Sequence, residues 1–300
     1  MRALRALALA GAILGSGCST RSQLSPEVRW SAELASAIKV VPNVSYGPLD
    51  RQTLDFYLQS TPLPPPVVIN FHGGGWTAHS KEEMNLEILP YLALGFAVAN
   101  VEYRLAKEAL APAAIQDARC ALHWVIANGG DYYVDPTRVV LAGSSAGGHL
   151  ALMAGLAPSN NEFDADCRSV AMNTGKAVRA ILNWSGPIDL VELAQGPEPR
   201  DWTLAWLGSG PDLLERARRY SPLGYVQAGG PPVLTVHGEA DSLIPYAQAV
   251  RLHAALSAAG VKNRLVTIAG GGHGGFGGEA TAGAMAEIQA FLAECKPPLP

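Results

Sequence analysis

Charge of either sign is scarce in this chain. Only 16% of its 300 residues are Asp, Glu, Lys or Arg, and the net charge is −4. So weak a balance, with no block of like charges, gives no electrostatic basis for holding nucleic acid, and no such partner is expected. Long apolar runs are also missing. No stretch of about eighteen apolar residues occurs, so no membrane-spanning helix is predicted. Cysteine is rare, with four in all. His79, His123, His237 and His253 show no metal-ligand spacing, so no metal site is expected. There is no internal repeat and no long linker, which favours one domain over two. What the chain does have is 48% hydrophobic residues and 32 glycines. That apolar content supports a sizeable core and excludes disorder for most of the chain.

The first residues read as a targeting segment. Arg2 and Arg5 precede the apolar stretch Ala6 to Leu14, and Gly15-Ser16-Gly17-Cys18 follows. This is the layout of an export signal. Residues 1–17 are therefore read as a signal peptide and 18–39 as a tether or short helix before a domain over 40–296. Cys18 resembles the lipidated cysteine of a bacterial lipoprotein box, although Leu14 sits one position earlier than that box prefers. The resemblance implies an exported chain, anchored to a membrane through a lipidated Cys18 in the periplasm or outer membrane, or else secreted. Cys120, Cys167 and Cys295 then permit one disulfide and one free thiol, or three isolated buried thiols. Sequence does not choose the pair.

Beyond the leader, strand-like and helix-like segments alternate. Strands are predicted at Val40 to Tyr46, Gln52 to Leu58, Val67 to Phe71, Phe96 to Val101, Arg138 to Ala142, Val178 to Asn183, Val233 to Val236 and Arg264 to Ile268. Helices are predicted at Lys81 to Leu94, kinked or ended by Pro90, and at Ala113 to Asn128, Ala146 to Leu156, Pro245 to Ala259 and Glu279 to Glu294. The alternation means a mostly parallel sheet covered by helices on both faces, with the first two strands as an antiparallel edge. The fold class expected is α/β. Pro187 to Pro232 has no clear strand but carries Trp202, Trp206, Tyr220 and Tyr225, and could cover a site.

Chemistry concentrates at the carboxyl ends of the predicted strands. Gly143-Ser144-Ser145-Ala146-Gly147 has the pattern G-x-S-x-G between a strand and a helix. A nucleophile at such a tight turn has a strained backbone, and side chains two residues to either side would clash. The helix dipole behind Ser145 favours developing negative charge. His72-Gly73-Gly74-Gly75-Trp76 follows another strand. Backbone N–H groups there, with that of Ala146, would form an oxyanion hole, Gly74 and Gly75 being the expected donors ahead of Gly73. Ser145 needs a base, and the base needs an orienting acid. Asp241 and His273 both fall on loops at the same sheet edge as Ser145. Glu239 is the rival acid and Asp189 a weaker one. His149 is a rival base, but its place in the helix points it into the core. His72 is expected to order the oxyanion loop. Gly272, Gly274 and Gly277 spell a dinucleotide fingerprint, yet the strand and acidic residue that must come after it are missing, so no cofactor is expected.

With these residues in place, the chain resembles an α/β-hydrolase of the esterase/lipase group from about Val40 to Leu292. The resemblance rests on His72-Gly73-Gly74-Gly75-Trp76, Glu102-Tyr103-Arg104-Leu105, Gly143 to Gly148, His237 to Pro245 and Gly272-His273-Gly274. His-Gly-Gly-Gly is also seen in hormone-sensitive-lipase-type esterases. Those usually carry Asp where this chain has Ser144, and a helical cap for which residues 18–40 are too short. Ser144, the run Asp241 to Pro245, and Ser185-Gly186-Pro187-Ile188-Asp189-Leu190 are more similar to the branch of feruloyl esterases, acetylxylan esterases and kynurenine formamidase-like proteins. The resemblance implies the α/β-hydrolase fold without a large cap domain, and Ser145, Asp241 and His273 as a triad.

The implied activity is a serine carboxylester hydrolase working through an acyl-enzyme on a small-molecule or polysaccharide-linked ester. The alternatives are a formamidase, amidase or peptidase with the same triad, or a non-catalytic binding module on the same fold. Trp76, Trp202 and Trp206 are expected as substrate-binding wall residues, although for Trp202 and Trp206 simple packing under a loop is an equal reading. An open, aromatic-walled cleft would suit short or aromatic acyl groups.

Overall fold

The computed structural model describes residues 38–158, 161–167, 174–295 and 299. The chain divides into two units, Met1–Ile38 and Lys39–Pro300, and the second holds the whole sheet but for its first residue, Ile38. The expected signal peptide and Cys18 lie outside the described residues, as does the tether up to residue 37.

Eight strands form one sheet. They are β1 (Ile38–Ser45), β2 (Thr53–Gln59), β3 (Pro66–Phe71), β4 (Ala97–Val101), β5 (Asp135–Ser144), β6 (Val178–Trp184), β7 (Val233–Gly238) and β8 (Asn263–Ile268). Their order is β1-β2-β4-β3-β5-β6-β7-β8. β2 pairs antiparallel with β4, whereas every pairing from β4 through β3 to β8 is parallel. Every residue of β3, β4 and β7 is buried, as a strand covered on both faces must be. β1, at the edge, has no buried residue and carries Lys39, which suits an unpaired margin.

The helices are α1 (Leu89–Ala93), α2 (Ala113–Asn128), α3 (Ala146–Leu156), α4 (Asn161–Asp164), α5 (Thr174–Ala177), α6 (Leu190–Gln195), α7 (Asp201–Leu207), α8 (Leu213–Arg219), α9 (Tyr246–Ala258) and α10 (Gly278–Ala293). None of the described helices is long and apolar enough to cross a membrane. α3 packs on β5 and β6 with ten of its residues buried, which explains its nearly uninterrupted apolar sequence. The span predicted as one helix from Lys81 to Leu94 is instead a turn, a 3-10 turn at Asn85–Ile88, and then α1. Pro90 stands in the first turn of α1 and begins that helix, where its missing N–H costs nothing. Lys81 is buried and its Nζ lies 2.9 Å from Asp55 Oδ1 on β2, which ties the start of this segment to the sheet.

The cysteines resolve into one bridge, Cys120–Cys167, joining α2 to the residues after α4, and a buried free Cys295. The bridge closes a sequence separation of 47 residues. Loop-closure entropy makes such a link worth about 4 kcal/mol. The double variant Cys120→Ser/Cys167→Ser should therefore unfold at markedly lower denaturant, by a comparable free energy in a urea titration. An unchanged midpoint would show that the link does not constrain the unfolded chain.

Candidate active site

The strand order places the carboxyl ends of β3, β5, β7 and β8 along one edge, and from each runs a loop bearing a residue expected at the site. Ser145 sits between β5 and α3 with φ 51° and ψ −121°, a left-handed conformation that a residue with a side chain adopts only under constraint. The constraint comes from packing. A Cβ on Gly147 would strike the carbonyl oxygens of Phe71 and His72, so β3 lies directly under the turn. Ser145 N–H donates to Trp184 O at 2.8 Å, and Ser145 O accepts from His149 N–H at 3.1 Å, which holds the turn between β6 and α3. Ser145 itself is half-buried, open on one side.

His273 Nε2 lies 2.9 Å from Ser145 Oγ, and His273 Nδ1 lies 2.7 Å from Asp241 Oδ2. The acid and histidine loops are laced together. Ala240 N–H donates to Gly271 O at 2.8 Å and Glu239 N–H to Ile268 O at 3.0 Å. Asp241 Oδ1 accepts the N–H groups of Leu243 and Ile244, each at 2.9 Å. Burial alone would push the Asp241 carboxyl up. The hydrogen bonds from His237, His273 and the Ile244 N–H outweigh it and hold the group well below the usual carboxylate range. A carboxylate so held keeps its negative charge beside the His273 imidazole.

The rivals lie elsewhere. Glu239 is exposed. Asp189 caps α6, accepting from Val191 and Glu192 N–H groups. His149 is fully buried with Nε2 2.7 Å from Tyr220 O, and burial lowers its pKa to about 4.

The glycine loop after β3 packs against the turn. A Cβ on Gly73 would lie 3.2 Å from Ser144 Oγ and 3.6 Å from Ser145 Cβ. Gly74 has φ +115°, and a Cβ there would collide with the Ala78 carbonyl oxygen, so only glycine fits. Gly74 O accepts from Thr77 and Ala78 N–H groups, while the N–H groups of Gly74 and Gly75 donate to nothing among the described residues. Ala146 is the first residue of α3, a position whose N–H has no intrahelical partner. His72 Nδ1 lies 2.7 Å from Gly73 O, its Nε2 lies 3.3 Å from Glu102 Oε1, and its ring stacks on Tyr103 at 4.2 Å. Tyr103 Oη donates to His72 O at 2.8 Å. Glu102 also binds Arg51 and the Lys81 N–H. Burial would raise its carboxyl, but the His72 hydrogen bond and the neighbouring positive charges bring it below its ordinary value.

Two of the three expected wall tryptophans are not walls. Trp76 and Trp206 have no exposed surface and stack on each other at 4.2 Å, with His149 edge-on to both. Trp76 takes a left-handed φ of 58°. Trp202 alone is partly exposed, and it stands against the glycine loop, 3.2 Å from where a Gly75 Cβ would be.

Three other side chains at this edge were given no role by the sequence, where Glu102 and His237 stand only as members of motifs and Glu87 in none. Glu87 accepts the Ser144 hydroxyl at 2.8 Å, and burial pushes its carboxyl up. His237 Nε2 lies 3.2 Å from Asp241 Oδ2. Alternation patterns mark which residues are buried but not which buried polar groups meet across loops. Among the described residues no group of three or more His, Cys, Asp or Glu is placed to hold a metal ion.

Comparison with known proteins agrees with this architecture. The family model BD-FAE matches residues 54–256, and a model of TAP-like proteins matches residues 214–300. Esterase LipQ of Mycobacterium tuberculosis is 30% identical over 229 residues, covering 73% of this chain and 53% of LipQ. The chain thus spans about half the length of the curated relatives it matches. Among solved structures, a truncated carbohydrate esterase from gut microbiota superposes with a TM-score of 0.69 at 28% identity, covering 84% of this chain and 96% of that one. Esterase Est2 of Thermogutta terrifontis superposes with a TM-score of 0.67 at 25% identity, covering 86% and 92%. With the sheet order, the serine turn and these likenesses together, the chain belongs to the BD-FAE family of α/β-hydrolase esterases.

Proposed function

We propose that this chain is a serine carboxylester hydrolase for short or aromatic acyl esters. The observation that carries the reading is the relay from a half-exposed Ser145 through His273 to a buried Asp241. In this reading His273 Nε2 takes the Ser145 Oγ proton as the oxygen attacks the ester carbonyl. The N–H groups of Gly74, Gly75 and Ala146 receive the oxyanion. His273 then returns the proton to the leaving alkoxide, and an acyl-Ser145 ester remains. Water, deprotonated by His273, attacks that ester and releases the acid. The esterase names of the relatives support the reaction class, and the carbohydrate esterase among the structural neighbours supports sugar-linked acyl esters as substrates to test.

The segment over the site bears on acyl length. It forms three short helices, α6, α7 and α8, rather than a large cap. The apolar face of α7 is occupied by packing Trp206 and Leu207 into the core. Arg200, just before α7, donates to Ser242 O at 2.6 Å and Leu243 O at 3.2 Å, which pins the segment to the acid loop. A methylene adds about 0.8 kcal/mol of binding only when a pocket encloses it. On p-nitrophenyl esters, kcat/KM should peak between acetyl and butyryl and fall by octanoyl, with acetylated xylan and methyl ferulate assayed beside them. A maximum at ten carbons or longer would reveal an enclosed acyl tunnel and refute the short-acyl reading.

A further inference from the structure

Asp241 is served by two histidines. On Oδ2, His273 Nδ1 lies at 2.7 Å and His237 Nε2 at 3.2 Å. His237 is the fifth residue of β7, wholly buried, and its Nε2 also lies 3.0 Å from Ile244 O. Facing two acceptors, Nε2 must carry a hydrogen, which it shares between the carboxylate and the carbonyl. Nδ1 is buried without a partner among the described residues. One face of the ring meets Tyr246 of α9 edge-on at 5.8 Å, and Tyr246 Oη is hydrogen-bonded to Thr267 Oγ1 at 2.6 Å. Among the described residues, the titratable groups in contact with the ring are Asp241 from its own loop and Tyr246 from α9, while its register partner on β8 is the uncharged Thr267. The ring is wholly buried and directs one N–H at the acid.

We propose that His237 is a positioning residue for this esterase site, holding Asp241 Oδ2 in line with His273 and sharing its negative charge. This rests on the triad reading. Loss of the His237 N–H has two effects. Oδ2 keeps only one side-chain donor and is freer to turn away from His273. Its charge is also less shared, so it holds a protonated His273 more tightly, and the acid limb of the kcat/KM profile moves to higher pH.

The test compares His237→Gln with His237→Asn on p-nitrophenyl acetate. The Gln amide N–H reaches the place of Nε2, whereas the Asn amide reaches only the place of the unpartnered Nδ1. His237→Asn should lower kcat roughly tenfold, the worth of one hydrogen bond, with KM little changed and the acid limb shifted upward. His237→Gln should recover most of kcat and the wild-type limb. Two variants that behave alike, both normal or both impaired, would overturn the proposal, as would a lower kcat with an unmoved limb. If melting curves show the Asn variant unfolded, the Gln variant decides, and an impaired kcat in it overturns the proposal. Ser145→Ala and Asp241→Asn run in parallel. If they stay active, the triad reading itself fails; if they are inactive while Gln and Asn are equal, only the role of His237 falls.

Discussion

Ser145→Ala should keep its fold and lose on the order of 10⁵–10⁶ in kcat, the scale at which removing the nucleophile of a hydrolase triad acts. No neighbour can take over. The Ser144 hydroxyl is next in sequence but is committed to Glu87 Oε1 at 2.8 Å. Stability should hardly change. Alanine keeps the Cβ, so the strained φ of 51° is neither relieved nor worsened. The side chain is half-buried, and its hydroxyl bonds to His273. The check is a p-nitrophenyl acetate assay beside a thermal melt. Activity within tenfold of wild type would remove Ser145 from the mechanism. A collapsed melt would instead show that the hydroxyl holds the turn together.

Asp241→Asn should lose about 10⁴ in kcat, the cost seen when a triad acid becomes an amide. The geometry says why. Asp241 Oδ1 accepts two backbone N–H groups, from Leu243 and Ile244. An asparagine must keep its carbonyl oxygen there, because an NH₂ would face two donors. That orientation turns the NH₂ toward His273 Nδ1 and His237 Nε2. His273 must then accept at Nδ1 and carry its hydrogen on Nε2, where it can no longer take the Ser145 proton. Glu239→Gln should stay close to wild type, since that side chain is exposed. The reverse pattern, with Glu239→Gln crippled and Asp241→Asn active, would move the acid to Glu239.

Sequence alone carried much of this architecture, and its misses have physical causes. The limits of α2 and α3 match the residues read from sequence because Gly129 ends one helix and the serine turn starts the other. Strand ends drifted by up to three residues, as at β5. There Asp135 N–H pairs with Pro65 O, a contact that hydrophobicity does not record. The meeting of Ser145, His273 and Asp241 was legible because each follows a strand at one edge of a parallel sheet. Trp76 was misread, and Trp206 follows its packing reading rather than its wall reading, because aromatic content in a loop says nothing about which way each ring turns. Trp76 faces inward onto Trp206, and only Trp202 keeps some exposure. The disulfide and the pairing of His237 with Asp241 are contacts between residues brought together only by folding, and no local pattern announces them.

The central claim is that Ser145 carries the acyl group, and covalent trapping tests it most directly. The protein is incubated with diethyl p-nitrophenyl phosphate, whose phosphoryl centre is attacked like an ester carbonyl but released slowly. Residual esterase activity and peptide mass maps are followed together. The expected result is one diethylphosphoryl group, on the peptide bearing Ser145, appearing in step with loss of hydrolysis and absent from Ser145→Ala. A label on any other residue, or full labelling with hydrolysis intact, would contradict the claim.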